Sequence, residues 1–180
     1  MYGYLEIDAD PLGRLLVGIE NDHVVFAQLV RRPEDMNGIL ERERAAYPGI
    51  RAAGNGHPVA SLLRAYLAGE PVDPVDVPVH WTQGTEFQQR VWRTLRAVRR
   101  GSLVTYGKLA DLAGSPRAAR AVGSAMARNP LVLVVPCHRV VASGGELGGF
   151  SAGLDAKRYW LRLEGVDRGR LNGRIHDHSG

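Results

Sequence analysis

Apolar and polar residues alternate along the N-terminal stretch. They predict three short strands, Tyr2 to Ile7, Leu15 to Ile19 and Val24 to Val30, separated by the turn formers Asp10-Pro11-Leu12-Gly13 and Asn21-Asp22. Such closely spaced strands read as an antiparallel meander. Residues 34–47 carry a weaker helical period. His57-Pro58 opens a clearer helix, with Val59, Leu62, Leu63, Tyr66 and Leu67 on one face and Gly69 at its end. Pro71, Pro74 and Pro78 then mark an extended connector, with an edge strand at Val75 to Val79. The pattern places a domain boundary here, with residues 1–80 forming an α/β unit that includes the connector.

Beyond the connector the period becomes helical. Thr85 followed by Gln88 is a capping box, and Phe87, Val91, Leu95 and Val98 form one ridge of a helix that stops before Gly101. Thr105 is placed to cap a short helix ending at Gly114. Ser115-Pro116, a cap residue followed by proline, predicts a further helix running to about Arg128. Two short helices joined through Ala113-Gly114-Ser115 fit a helix-turn-helix. On the second, Ala119, Val122, Gly123 and Met126 are expected to face inward. Arg117, Arg120, Ser124 and Arg128 form a polar stripe flanked by the small residues Ala118, Ala121 and Ala125. Asn129-Pro130 breaks the helix, Leu131 to Val135 reads as a buried strand or extended segment, and Ser143-Gly144-Gly145 as a turn. Leu154 to Glu164 predicts a last helix ended by Gly165. Residues 81–167 therefore form a second, mostly helical domain. Residues 168–180 read as a flexible tail, in which His176 and His178 are not taken as a metal site.

Charge sharpens this division. Residues 1–83 hold 7 Lys/Arg against 12 Asp/Glu, a net of −5, whereas residues 84–170 hold 15 against 6, a net of +9. A basic second half beside an acidic first is the electrostatic footprint expected for a polyanion, most often nucleic acid. The alternative is a solvated basic surface. No stretch approaches the length of a membrane span, and the N-terminus is neither basic nor apolar enough for a secretory signal. With a single cysteine, neither an internal disulfide nor a cysteine-rich zinc site can form. The expectation is a reduced, cytoplasmic protein without metal or cofactor.

That cysteine, Cys137, ends the apolar run Leu131 to Val135 and is followed by His138 and Arg139. Cysteine as a small buried hydrophobe is the common case. A space-filling residue, however, has no use for a proton acceptor and a cation directly after it, so Cys137 reads as a reactive thiol. A free thiol with a pKa of ~8.5 is only slightly ionised at neutral pH, yet it is intrinsically nucleophilic. The expectation is a sulfur kept anionic, with a bend at Cys137, since in a regular strand residues 137 and 138 would diverge. The glycines at 144, 145, 148, 149 and 153 lack a phosphate-binding fingerprint, so they are read as shaping a loop whose backbone approaches a ligand.

Several segments in order, Thr85-Glu86-Phe87-Gln88, Val91-Trp92, Tyr106-Gly107, Ala118 to Gly123, Asn129-Pro130, Pro136-Cys137-His138-Arg139-Val140 and Gly149-Phe150-Ser151, closely resemble the O6-alkylguanine-DNA alkyltransferases, also called methylated-DNA-protein-cysteine methyltransferases. The resemblance is strong over residues 84–165 and covers the N-terminal half only in general layout. It implies a ribonuclease-H-like α/β N-terminal domain, with antiparallel sheet plus helix, followed by a mostly α winged-helix-like DNA-binding domain. The implied activity is irreversible, single-turnover transfer of a methyl or other alkyl group from O6-alkylguanine in duplex DNA, with O4-alkylthymine as a further substrate class. The implied nucleophile is Cys137, activated through a water by His138 and Glu164. Tyr106, Ser151, Val140 and Asn129 are implied in substrate binding, Tyr106 facing the extruded base and Asn129 bracing the turn before the active-site segment. Arg120 is implied to fill the gap left in the duplex, approached through the minor groove, with Arg117, Ser124, Arg128 and Ala121 alongside. The implied protein is a monomer without an obligate protein partner, open to clustering on DNA.

Three departures stand out: Arg99-Arg100 where the family commonly has a proline, Phe150 where tyrosine is frequent, and Ala152 where glycine is frequent, its methyl group expected to narrow the pocket. Three other readings compete. A non-catalytic alkyl-damage recognition protein lacks the reactive cysteine. An alkylation-sensing regulator calls for an activator domain or sensor cysteine that is not visible. A Cys-His hydrolase has its base adjacent in space and not usually in sequence.

Overall fold

The computed structural model describes residues 1–54 and 56–166; His176 and His178 fall outside them. The chain divides into two units, residues 1–82 with 130–134, and residues 83–129 with the chain from 135 onward.

In the first unit β1 (Tyr2–Asp8), β2 (Arg14–Glu20) and β3 (His23–Val30) form the expected antiparallel meander. A two-residue strand, β4 (Arg51–Ala52), adds parallel to β1 and makes the sheet order β3-β2-β1-β4. Tyr4 lies opposite Gly18, and Leu5 and Ile7 lie opposite Val17 and Leu15. Directly opposed residues share a face, so Tyr2, Tyr4 and Leu16 occupy one side of the sheet and Leu5, Ile7, Leu15 and Val17 the other. The weakly periodic segment becomes α1 (Asp35–Ala46), whose Ile39 and Leu40 pack with Leu16, Phe26, Val30 and Tyr47. Gly18 is required here, because a Cβ would lie 2.1 Å from the Phe26 ring. α2 (Pro58–Leu67) begins at the predicted His57 cap and packs against β1. With cover on both faces, Leu15 to Ile19 is buried without alternation.

Two extended segments differ from expectation. Val75 to Val79 is not an edge strand: Pro74–Asp76 is a 3₁₀ turn capped by Asp73, and only Val79 bridges to Val24. Proline fixes its own backbone and removes a donor, which favours such a turn. Leu131 to Val135 is buried as expected but is not a regular strand. Leu131 bridges Ala27, and Leu133 then takes a φ of +74°, which breaks the run.

The second unit is helical. α3 (Glu86–Leu95) carries the predicted capping box and buries Val91, Trp92 and Leu95, while Phe87 and Val98 are only half-buried. Trp92 donates from Nε1 to the Ala125 carbonyl at 2.9 Å, tying α3 to the helix that carries Ala125. β5 (Val104–Thr105) leads into α4 (Tyr106–Leu112), where the Thr105 hydroxyl caps the Lys108 N–H and Gly114, at φ +69°, follows the helix end. The next helix, α5, spans Ala119–Ala127 and starts later than Ser115-Pro116 predicted. Arg117 sits at φ +70°, outside the helix, and Ala118 closes a turn onto the Ser115 carbonyl. The cause is tertiary. The Arg90 guanidinium donates to the Ala113 carbonyl at 3.0 Å and to the Ser115 hydroxyl at 3.5 Å, engaging the side chain that would have capped the helix. Inward on α5 are Val122, Ala125 and Met126, so Ala125 belongs to the core and not to the flank of the polar stripe. β6 (Val140–Val141) pairs in parallel with β5, and α6 (Leu154–Leu163) closes the unit.

Candidate functional site

Cys137 opens a 3₁₀ turn, Cys137–Arg139, which is the bend its sequence neighbours called for. The Cys137 N–H donates to the Val135 carbonyl at 2.8 Å, and the Arg139 N–H to the Pro136 carbonyl at 2.9 Å. Asn129, buried just past α5, braces this turn, its Nδ2 donating to the Val135 carbonyl at 3.1 Å and to the Cys137 sulfur at 2.9 Å. The thiol points toward the Met126 carbonyl, 3.9 Å away.

Cys137 lines a cavity of about 280 Å³. Gly123, Met126 and Ala127 of α5 form one wall, and Tyr106 with Gly149, Phe150 and Ser151 form the rest. This volume lies just below the ~300 Å³ at which pockets begin to take drug-sized molecules, which suits one flat heterocycle with a small substituent. Across the cavity lining the Tyr106 hydroxyl donates to the Gly149 carbonyl at 3.4 Å. Gly148 is needed beneath it: φ is +65°, and a Cβ would lie 3.0 Å from the Tyr106 ring. Ala152 does not line the cavity, so its methyl group does not narrow it.

Behind the sulfur lies a buried charge network. His138 and Arg139 are fully buried, and both face Glu164, which follows α6. His138 Nε2 lies 2.8 Å from Glu164 Oε1, and Arg139 donates to the same carboxylate through Nε and Nη2, with Nη2 at 2.8 Å from Oε1. Gly101 N–H adds a further bond at 3.2 Å. Burial opposes ionisation of Glu164, but the adjoining His138 ring and the Arg139 guanidinium overcome it and hold the carboxyl well below its ordinary range. Burial also lowers the His138 pKa, against the pull of Glu164. The ring is therefore neutral. With Nε2–H given to Glu164, its other nitrogen, Nδ1, is an acceptor, and that atom is buried without a hydrogen-bond partner.

The sulfur itself corrects an expectation. Burial pushes the Cys137 thiol up to about 12, although the Asn129 hydrogen bond and the Lys157 ammonium pull the other way. At rest it is a neutral thiol. Burial raises the Tyr106 phenol too, with Cys137 adding to the shift, so Tyr106 remains a hydrogen-bond donor.

The other sequence-marked residues fall in distinct places. Arg120, Ala121, Ser124 and Arg128 are exposed at α5, and Ser124 donates to the Arg120 carbonyl at 3.3 Å. Arg117 is exposed on the preceding turn and so leaves the helical stripe. Val140 is buried and does not line the cavity. Arg100 donates to the Leu163 carbonyl at 2.8 Å, and Phe150 packs edge-on against Trp160. Of two buried basic residues, the sequence reading took Arg139 only as a cation following the thiol and did not mark Lys157. Arg139 stood in an apolar run, where a cation implies a buried partner. Lys157 occupies the buried stripe of α6 with Ala156, Trp160 and Leu161, and helical spacing alone marks it as an inward cation.

Comparison with known proteins supplies the family. Residues 86–166 match the family of the 6-O-methylguanine DNA methyltransferase DNA-binding domain. A methylated-DNA–protein-cysteine methyltransferase of Methanosarcina acetivorans is 48% identical over 165 residues, which cover 90% of this chain and 98% of that protein. The chain belongs to the methylated-DNA–protein-cysteine methyltransferase family. A methyltransferase of the same name from Shigella flexneri is 43% identical over 126 residues, covering 70% of this chain and 72% of its own length. Among solved structures, that of Mycobacterium tuberculosis OGT in complex with DNA superimposes with a TM-score of 0.74 at 32% identity, covering 97% of this chain and 99% of that one. This methyltransferase has an N-terminal sheet unit and a helical unit that holds Cys137.

Proposed function

We propose that this methyltransferase repairs DNA by transferring the alkyl group of O6-alkylguanine to Cys137, once per molecule. The observation that carries the reading is a thiol lining a base-sized cavity, directly before a buried His–carboxylate pair in sequence. The thiol proton passes through a water to Nδ1 of His138, and the imidazolium so formed is compensated by Glu164. The sulfur attacks the alkyl carbon; the S–C bond forms as the C–O6 bond breaks, and the electron pair stays on the purine. Hydrogen bonds from the Tyr106 hydroxyl and the Ser151 backbone N–H neutralise the charge that grows there. The purine anion then takes up a proton, the one held on His138 returning through solvent, so the products are a thioether at Cys137, a neutral guanine base and a neutral His138. Because the thiol is neutral at rest, deprotonation belongs to the reaction and not to the free protein.

A base inside a duplex is out of reach, so the nucleotide must be extruded at a cost of a few kcal/mol. Arg120 takes its place in the stack, with Arg117, Ala121, Ser124 and Arg128 along the minor groove. Val140 and Asn129 support the substrate site through the backbone on either side of Cys137. In this reading residues 1–80 form a ribonuclease-H-like domain and residues 81–167 a winged-helix-like one, with residues 168–180 as a tail. The protein acts in the cytoplasm as a monomer that is free to cluster on DNA, and O4-alkylthymine is a second substrate. Among the described residues no helix is long and apolar enough to cross a membrane, and no group of three or more His, Cys, Asp or Glu is placed to hold a metal.

Intact mass spectrometry after incubation with a duplex carrying O6-methylguanine tests the reading. One added methyl, mapped to Cys137 and absent in Cys137→Ser, is the expected result. An unmodified protein, or methyl on any other residue, rejects it.

A further inference from the structure

Lys157 is a cation with 0% exposure, a rare placement for lysine unless it is paired. Among the described residues no carboxylate pairs with it. Its ammonium instead meets backbone oxygens: Val140 at 2.6 Å, Gly149 at 3.5 Å, and Leu147. An ammonium has three donors and no acceptor, so three carbonyls use its whole capacity. These carbonyls come from two places. Val140 directly follows the Cys137–Arg139 turn, and Leu147 and Gly149 belong to the glycine-rich loop whose residues 149–151 line the cavity. The loop's other fastenings are few: Tyr106 reaches Gly149 at 3.4 Å, the Phe150 ring packs edge-on against Trp160, and Gly153 turns back onto Phe150.

We infer that Lys157 is a positioning residue that pegs the loop 147–151 to the backbone leaving Cys137, and so sets the distance between sulfur and bound base. Charge-assisted hydrogen bonds are the strong ones, and fastening a glycine-rich loop requires strong bonds. The same cation lies in the field of Cys137, so it also favours the thiolate as the reaction creates it. The consequence for catalysis rests on the alkyl-transfer reading; the fastening of the loop does not.

Two variants test it, Lys157→Met, which keeps the stem without the donors, and Lys157→Gln, which keeps neutral donors. Hydrogen exchange on the substrate-free protein is expected to speed up about ten- to a hundredfold in Lys157→Met at the Ala142 and Gly153 amides, whose bonds to Glu146 and Phe150 close the two ends of the loop, and less in Lys157→Gln, with α3 unchanged. With free O6-alkylguanine base as substrate, the half-saturating concentration should rise about tenfold, while the limiting rate of transfer falls less. Unchanged loop exchange in both variants overturns the inference. So does a loss of protection throughout the helical unit in both, which would make Lys157 a general support of the fold. Should the wild type transfer no alkyl group, the functional reading fails, and loop exchange still decides the peg.

Discussion

A neutral thiol is a safe resting state for a protein that can be used once. With a pKa raised from 9.0 to about 12, Cys137 carries roughly a thousandfold less thiolate at neutral pH than an exposed cysteine. Alkylation by iodoacetamide, followed by intact mass, should therefore be slower than for a cysteine peptide by about that factor; a peptide-like rate would show the sulfur to be ionised at rest. Glu164 and His138 have an opposite lesson for stability. The Glu164 pKa is depressed on folding, so its contribution is present above the ordinary value of 4.5 and is lost as pH falls. The His138 pKa is also depressed, so below the ordinary 6.5 the unfolded chain takes up a proton that the folded one refuses. Both act in the same direction, and thermal stability should decline as pH drops from 7 toward 4. His138→Gln should flatten the upper part of that decline, between about pH 5 and 7. Arg139→Met should cost about 3–5 kcal/mol in urea unfolding, because it leaves the buried Glu164 charge without its guanidinium.

At the scale of elements, α5 has two tasks separated by its faces. Met126, Ala127 and Gly123 wall the cavity, and Arg120 stands exposed near the helix start. If Arg120 offsets the cost of extruding a nucleotide, Arg120→Ala should slow repair of duplex substrate by about ten- to a hundredfold and leave reaction with the free alkylated base nearly unchanged. Equal losses on both substrates would give the arginine another role. The signals that made the helices legible in sequence were local, for α3 correctly and for the start of α5 wrongly. Thr85 and Gln88 could be read as a cap because both partners lie within one turn. Ser115-Pro116 looked like a cap as well, but Arg90, far away in sequence, engages the serine hydroxyl. Cys137 and His138 were legible because reactive side chains side by side are unusual. The Arg139–Glu164 pair and the Lys157 peg were not, since their partners are set by the packing of α6 against the Cys137 turn. The same holds for the pKa of Cys137, which depends on a burial that no residue of the motif encodes.

For the whole molecule, the net +9 of residues 84–170 overstates the charge available to a polyanion, because Arg139 and Lys157 are spent inside. Among the described residues, Arg117 and Arg128 are exposed, and each phosphate that such a residue neutralises would release condensed counterions. Binding to unmodified duplex should therefore weaken steeply with salt, and the logarithm of the association constant should fall with the logarithm of salt concentration at ~0.9 per phosphate contacted. The two kinds of arginine separate in this measurement. If Arg128 contacts a phosphate, Arg128→Ala should lower the slope by about one. If Arg120 fills the stack, Arg120→Ala should weaken binding to a duplex with an extruded nucleotide while changing the slope less than Arg128→Ala does. Fluorescence anisotropy across a salt series reads both quantities at once. If Arg120→Ala lowers the slope as much as Arg128→Ala, Arg120 is a phosphate contact like the others, and the protein must hold the duplex open by some other group.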